Sequence, residues 1–117
     1  REAANREMKV KLNKLENNAR RASTLLKAMS NQHRLMILCQ ITTEEKSVGE
    51  LEEIIGLSQS ALSQHLARLR RDNLVQTRRD AQTIYYSLKG DEALTIIETL
   101  YQLYCADEAQ TEALKAS

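Results

Sequence analysis

The chain has 117 residues, no proline, tryptophan or phenylalanine, three glycines and a net charge of +1. That length and composition fit a single small-cored, helix-rich domain over residues 1–117 and leave little room for an all-β design. No apolar run approaches the roughly 20 residues needed to cross a bilayer, and no signal-peptide pattern opens the chain, so a cytoplasmic protein without membrane contact is expected.

Two cysteines in a reducing compartment are not expected to form a permanent disulfide staple. The chain opens on Arg1, and native sequence is expected to precede it. Charge is unevenly spread. Residues 58–90 hold six basic and two acidic side chains, a net of +4. Residues 91–117 hold one basic and six acidic, a net of −5. A basic middle beside an acidic end suits one face turned towards an anion.

From about Asn5 to Met29, Met8, Leu12, Leu15, Ala19, Ala22, Leu25, Leu26 and Met29 recur at three- and four-residue spacings. That pattern predicts a long amphipathic helix. Ser30 is the expected N-cap of a second helix, with Leu35, Leu38, Cys39 and Thr42 on one face. After the polar stretch TTEEKS, Ser47 and Glu50 form a capping-box pair that opens the short helix VGELEEII. Gly56 can close that helix in the left-handed conformation. Ser58 then caps QSALSQHLARLRRD, and the intervening GLS gives a helix-turn-helix spacing. Within this fourth helix Leu62, Leu66 and Leu69 share one stripe, with Ser60, Ser63, Gln64, Ala67 and Arg71 opposite.

Beyond Asn73 the apolar period falls to two. LVQTRR and QTIYYSL read as strands, with Val75, Ile84, Tyr86 and Leu88 at inner positions. RDAQ between them lacks glycine and predicts a longer hairpin loop rather than a tight two-residue turn. Gly90 and Asp91 start a last helix, EALTIIETLYQLYCADEA. Leu94, Ile97, Tyr101, Tyr104 and Cys105 share one of its faces, and Ile96, Leu100 and Leu103 another. Two apolar faces need two partners, the chain's own core and a second subunit.

A fourth helix that opens with Gln59, Ser60, Ser63 and Gln64 offers amide and hydroxyl groups to base edges in a major groove. Arg68, Arg71, Arg78 and Arg79 are placed to reach phosphates. The tyrosines do not alternate with basic residues, which argues against a stacking platform for single strands. No nucleophile elbow, phosphate loop or metal motif occurs, so neither an enzyme nor a cofactor is expected. A protein-interaction module is the competing class, but it leaves the polar strip and the arginine-bearing hairpin without a use. His33 reads as a structural hydrogen-bonder, and His65 as a packing or DNA-contacting side chain. Cys39 and Cys105 have two readings, small core-filling residues or two halves of one site. For Cys105, a helix C-terminus with Asp107 and Glu108 following disfavours a thiolate.

The run SVGELEEIIGLSQSALSQHLARLRRDNLVQTRRDAQTIYYSL resembles the winged helix-turn-helix of the ArsR/SmtB family of bacterial repressors. The similarity extends from about Leu25 to Cys105. It implies a mainly α fold with a small β-hairpin, in the order α-α-α-α-β-β-α. It also implies a homodimer built on the first and last helices that represses by binding palindromic double-stranded operator DNA. Family metal sensors carry cysteines in the helix before the turn, or aspartate and histidine along the last helix. ELEEIIG has no sulfur here and the last helix no histidine, so no metal site is expected.

LKAMSNQHRLMILC together with LYQLYC resembles the family's dithiol branch, similar to SqrR, BigR and HlyU. What this implies is sensing of reactive sulfur species, the persulfides and polysulfides. They would join Cys39 to Cys105 of one subunit through a di- or polysulfide and weaken operator binding. The alternatives are a general thiol-redox or metal-responsive regulator of this family, or an anti-repressor of the HlyU kind.

Overall fold

A computed structural model describes residues 2–105 as five helices and one three-stranded antiparallel sheet. The elements are α1 (Glu2–Met29), α2 (Gln32–Gln40), β1 (Lys46–Ser47), α3 (Val48–Ile55), α4 (Gln59–Arg71), β2 (Val75–Asp80), β3 (Thr83–Leu88) and α5 (Asp91–Tyr104). This is the expected winged helix-turn-helix, with one strand more than the hairpin alone.

The caps explain most boundaries. α1 starts at Glu2 rather than near Asn5; no breaker precedes Asn5, and Glu2 lies in a first turn where the helix dipole favours an acid. Asn31, not Ser30, caps α2, its Oδ1 accepting from the amides of His33 (3.0 Å) and Arg34 (3.1 Å). Ser30 still belongs to the end of α1, since its own N–H donates to the Lys27 carbonyl at 3.2 Å. The Ser47–Glu50 capping box is present at α3. Gly56 closes α3 with φ +79°, and Ser58 Oγ accepts from Ala61 N at the start of α4. α4 ends in a Schellman turn: Asn73 takes φ +60°, and Leu74 N–H returns to the Leu69 carbonyl at 2.9 Å.

Two features of the sheet depart from expectation. The β2–β3 register runs from Val75↔Leu88 to Asp80↔Thr83 and leaves only Ala81 and Gln82 as the loop. The turn is therefore tight despite lacking glycine. Buried Val75 and half-buried Tyr86 and Leu88 set that register on the core side, and Ala81 absorbs the demand by adopting φ +55°. The second departure is β1, whose Lys46 and Ser47 pair with Tyr86 and Tyr85. It makes β3 the central strand.

The core lies where α1's last turn, α2, α3, α4 and the base of the sheet meet. Its fully buried members include Ile37, Leu38, Leu51, Leu62, Leu66 and Leu69. Ile84, expected inside, is exposed, because its partner Arg79 places it near the hairpin tip beyond the reach of the core. α5 buries only Ala93 and Ile97, leaving Tyr101, Leu103 and Tyr104 in solvent. Met8, Leu12 and Leu15 of α1 are likewise uncovered. None of the described helices is long and apolar enough to cross a membrane.

Candidate nucleic-acid interface and dithiol cleft

The leucine stripe of α4 faces the core and so turns the other side of the helix outwards. Gln59, Ser60, Ser63, Gln64 and Ala67 are all exposed on that side. Ser58 caps α4 at this end, so the side chains best placed to enter a groove stand on the helix's first two turns. Arg71 is exposed and lies 3.8 Å from Asp72. Arg68 is more committed, its Nε donating to Asp72 Oδ2 at 2.9 Å. Arg70, which the sequence reading passed over, is also exposed and shares a groove with Ser63, Ala67, Arg71 and Tyr86. The run RLRR was the available signal.

The two hairpin arginines differ. Successive strand residues face opposite ways. Arg79 is exposed and forms no ion pair among the described residues. Arg78 instead stacks over Tyr85, 4.6 Å from the ring centroid, and its Nε donates to both Glu45 oxygens at 3.1 Å. Glu45 was not singled out from sequence, because nothing local marks a partner 33 residues away.

Between α2 and α4, the rings of His33 and His65 meet with centroids 5.7 Å apart. His33 was expected to be a structural hydrogen-bonder; its Nδ1 is buried with no hydrogen-bond partner among the described residues, and the contact observed is ring packing on His65. Burial, then the charge of Arg34, then His33 lower the His65 pKa. Arg34 closes the end of α1, its Nε donating to the Ala28 carbonyl at 2.6 Å. α1, α2 and α4 are thereby joined at one corner.

On the other side of α2 lies an apolar cleft of about 640 Å³ between α2 and α5. Cys39, in the last turn of α2, and Cys105, directly after α5, both line it, together with Leu35, Ile97, Leu100 and Tyr101, and Glu98 is the one charged member. Both cysteines are free and exposed. That outcome removes the reading of two core-filling residues and leaves them facing one shared space. Partial burial in the cleft wall pushes the Cys39 thiol pKa up, and the neighbouring Cys105 adds to the rise. Asp107 and Glu108, together with the expected continuation of the last helix to residue 109, lie outside the described residues. No group of three or more potential metal ligands occurs among the described residues.

The family model for bacterial regulatory proteins of the arsR family matches residues 31–77. The transcriptional activator HlyU of Vibrio cholerae is 55% identical over 94 residues, which cover 80% of this chain and 87% of the relative. The biofilm growth-associated repressor of Xylella fastidiosa is 42% identical over 96 residues, covering 82% and 84%. Among solved structures, reduced HlyU from Vibrio cholerae aligns with a TM-score of 0.77 at 55% identity, over 79% of this chain and 97% of that one. A homodimeric winged helix-turn-helix domain from Mycobacterium bovis aligns with a TM-score of 0.67 at 25% identity, over 80% and 84%.

Proposed function

This chain belongs to the ArsR family of bacterial regulatory proteins, and we propose that it is a homodimeric repressor whose grip on a palindromic operator weakens when persulfides or polysulfides bridge Cys39 and Cys105. The coarser part needs no proposal: the chain is a DNA-binding transcriptional regulator of winged helix-turn-helix form. The observation that carries the finer reading is that Cys39 and Cys105 of one subunit line the same cleft.

The chemistry needs no external oxidant. A thiol attacks the outer sulfur of a persulfide donor, taking that sulfur as its own persulfide and releasing the donor as a thiol. The second cysteine then attacks the sulfur bonded to the first cysteine's carbon, closes a disulfide and expels hydrogen sulfide. If both cysteines are first persulfidated, the same loss leaves a trisulfide. A direct disulfide needs Cα atoms within about 7 Å, so added sulfur atoms extend the reach and select for sulfur donors over simple oxidants.

α2 packs on α3 and α4, and α5 presents the apolar face suited to a second subunit. A bond between α2 and α5 thus joins the reading head to the dimer seam. Operator half-sites lie about 34–36 Å apart, and shifting that separation weakens both half-site contacts together, a coupling free energy between two sites. Gln59, Ser60, Ser63 and Gln64 read bases in this scheme, while Arg68, Arg71, Arg78 and Arg79 contact phosphates.

The test exposes reduced protein to a persulfide donor and, separately, to hydrogen peroxide, recording intact mass and DNA affinity. Added sulfur mass, an internal bridge and weaker binding after the donor support the reading. Cys39→Ser and Cys105→Ser should bind DNA normally when reduced and lose the response. A response that survives in both variants rejects the switch. Equal bridging by peroxide favours a general thiol-redox regulator. Activation by displacing another DNA-bound protein is the second reading, favoured by the activator name of the Vibrio cholerae relative. A promoter reporter in cells with and without the gene separates the two directions.

A further inference from the structure

Arg78 crosses the outer face of the sheet. From the edge strand β2 its guanidinium passes over Tyr85 on the central strand and grips Glu45, the residue just before β1 on the far edge. Nε bonds both carboxylate oxygens at 3.1 Å, and Nη2 donates to Oε1 as well. The two side chains are 54% and 37% exposed, so the pair stands in solvent and burial does not hold it closed. Arg78 in turn holds the Glu45 carboxyl below the usual carboxylate range.

The fork of donors that Arg78 gives to Glu45 is the same fork a guanidinium gives to a phosphate. An arginine cannot satisfy both with that edge. Any operator phosphate that recruits Arg78 must first displace the carboxylate. Arg79, the next residue, faces the other way and has no such competitor among the described residues. Two adjacent arginines on one strand are thus differently available.

We infer that Glu45 acts as an internal stand-in for a DNA phosphate, holding Arg78 on the sheet and setting the affinity of the wing for the operator. Glu45 is a positioning residue, working only through Arg78. The inference rests on Arg78 being one of the phosphate contacts proposed above. It makes Glu45 a determinant of affinity although an acid at a DNA-facing wing looks unfavourable.

The experiment compares wild type, Glu45→Gln, Arg78→Gln, the double variant and Arg79→Gln, all reduced. The probe is a duplex selected by the wild-type protein from a random-sequence pool. Dissociation constants are measured from about 50 to 200 mM salt, a range over which phosphate contacts show clearly. Exposed ion pairs are weak, so Glu45→Gln should tighten binding about two- to five-fold per subunit. It should also steepen the salt slope, by less than about one per subunit, as Arg78 takes up a phosphate more completely. In the Arg78→Gln background the same change should do nothing, and this separates release of Arg78 from simple removal of a negative charge.

Weaker or unchanged binding by Glu45→Gln, with an unaltered slope, would mean that the pair merely braces the wing, and would overturn the inference. An effect that persists without Arg78 would overturn it too. If Arg78→Gln and Glu45→Gln both bind as wild type while Arg79→Gln weakens binding, Arg78 is no DNA contact and the inference falls, yet the interface as a whole stands. Thermal melting of each variant confirms that the comparison is between folded proteins.

Discussion

Cys39 occupies an awkward place for a nucleophile. It stands in the last turn of α2, at the negative end of the helix dipole, and both the cleft wall and Cys105 raise its pKa. Its reaction with an alkylating reagent should therefore accelerate with a midpoint above the ordinary thiol range. Cys105→Ser should move that midpoint down only part of the way, since burial is the larger cause. Mass-resolved alkylation against pH checks both statements; a midpoint below that of a free thiol refutes them. Gly56 offers a second test at this scale. Its φ of +79° leaves open space around a hypothetical Cβ but strains any L side chain, so Gly56→Ala should cost about 1–2 kcal/mol in denaturant unfolding. Gly56 was legible because a lone glycine after a capped apolar run has few other uses. The cysteine pair was legible only through family resemblance, as neither residue carries a local sign of reactivity.

α4 depends on what lies beneath it. Leu62 is fully buried, and Leu62→Ala should cost about 2–5 kcal/mol, with DNA binding lost as the fold is lost. His65 adds a pH dependence. Arg34 and His33 face it from α2, and Arg34 itself feels Arg68 and Asp72 at the end of α4. The folded state keeps His65 neutral to a lower pH than the unfolded chain does. The unfolded chain therefore binds more protons between the folded pKa and about 6.5, and stability falls as pH drops through that window. Unfolding curves at a series of pH values should show the loss, and His65→Gln should flatten it. The helices were readable from caps and 3.6-residue spacing. β1 was not, because two polar residues, Lys46 and Ser47, carry no period at all. The two-residue turn was missed because strand register, a long-range property, forced Ala81 into a conformation its side chain does not advertise.

At the scale of the molecule, the apolar faces of α1 and α5 call for a partner. Leu103 is 62% exposed on the last helix. Leu103→Asp should shift sedimentation from a dimer towards a monomer and weaken operator binding; unchanged association would place the interface elsewhere. The spacing of apolar residues announced two faces on α5 but not which one the chain itself would cover, and only Ala93 and Ile97 proved to be inside. The basic middle segment likewise suggested an anion-binding surface, whereas the pairing that sets Arg78 apart from Arg79 depends on Glu45, distant in sequence and adjacent in space.

The described fold measures 61 × 46 × 22 Å, a slab too thin to wrap the 28-residue α1. Met8, Leu12 and Leu15 are exposed on the single chain. For the proposed dimer, pairing would scale with the square of concentration while subunits are scarce relative to the dimer's dissociation constant. In that regime operator occupancy would lag behind the amount of polypeptide. Dilution would erode it faster than the polypeptide itself, so scarce subunits of such a dimer would give a threshold rather than a graded response.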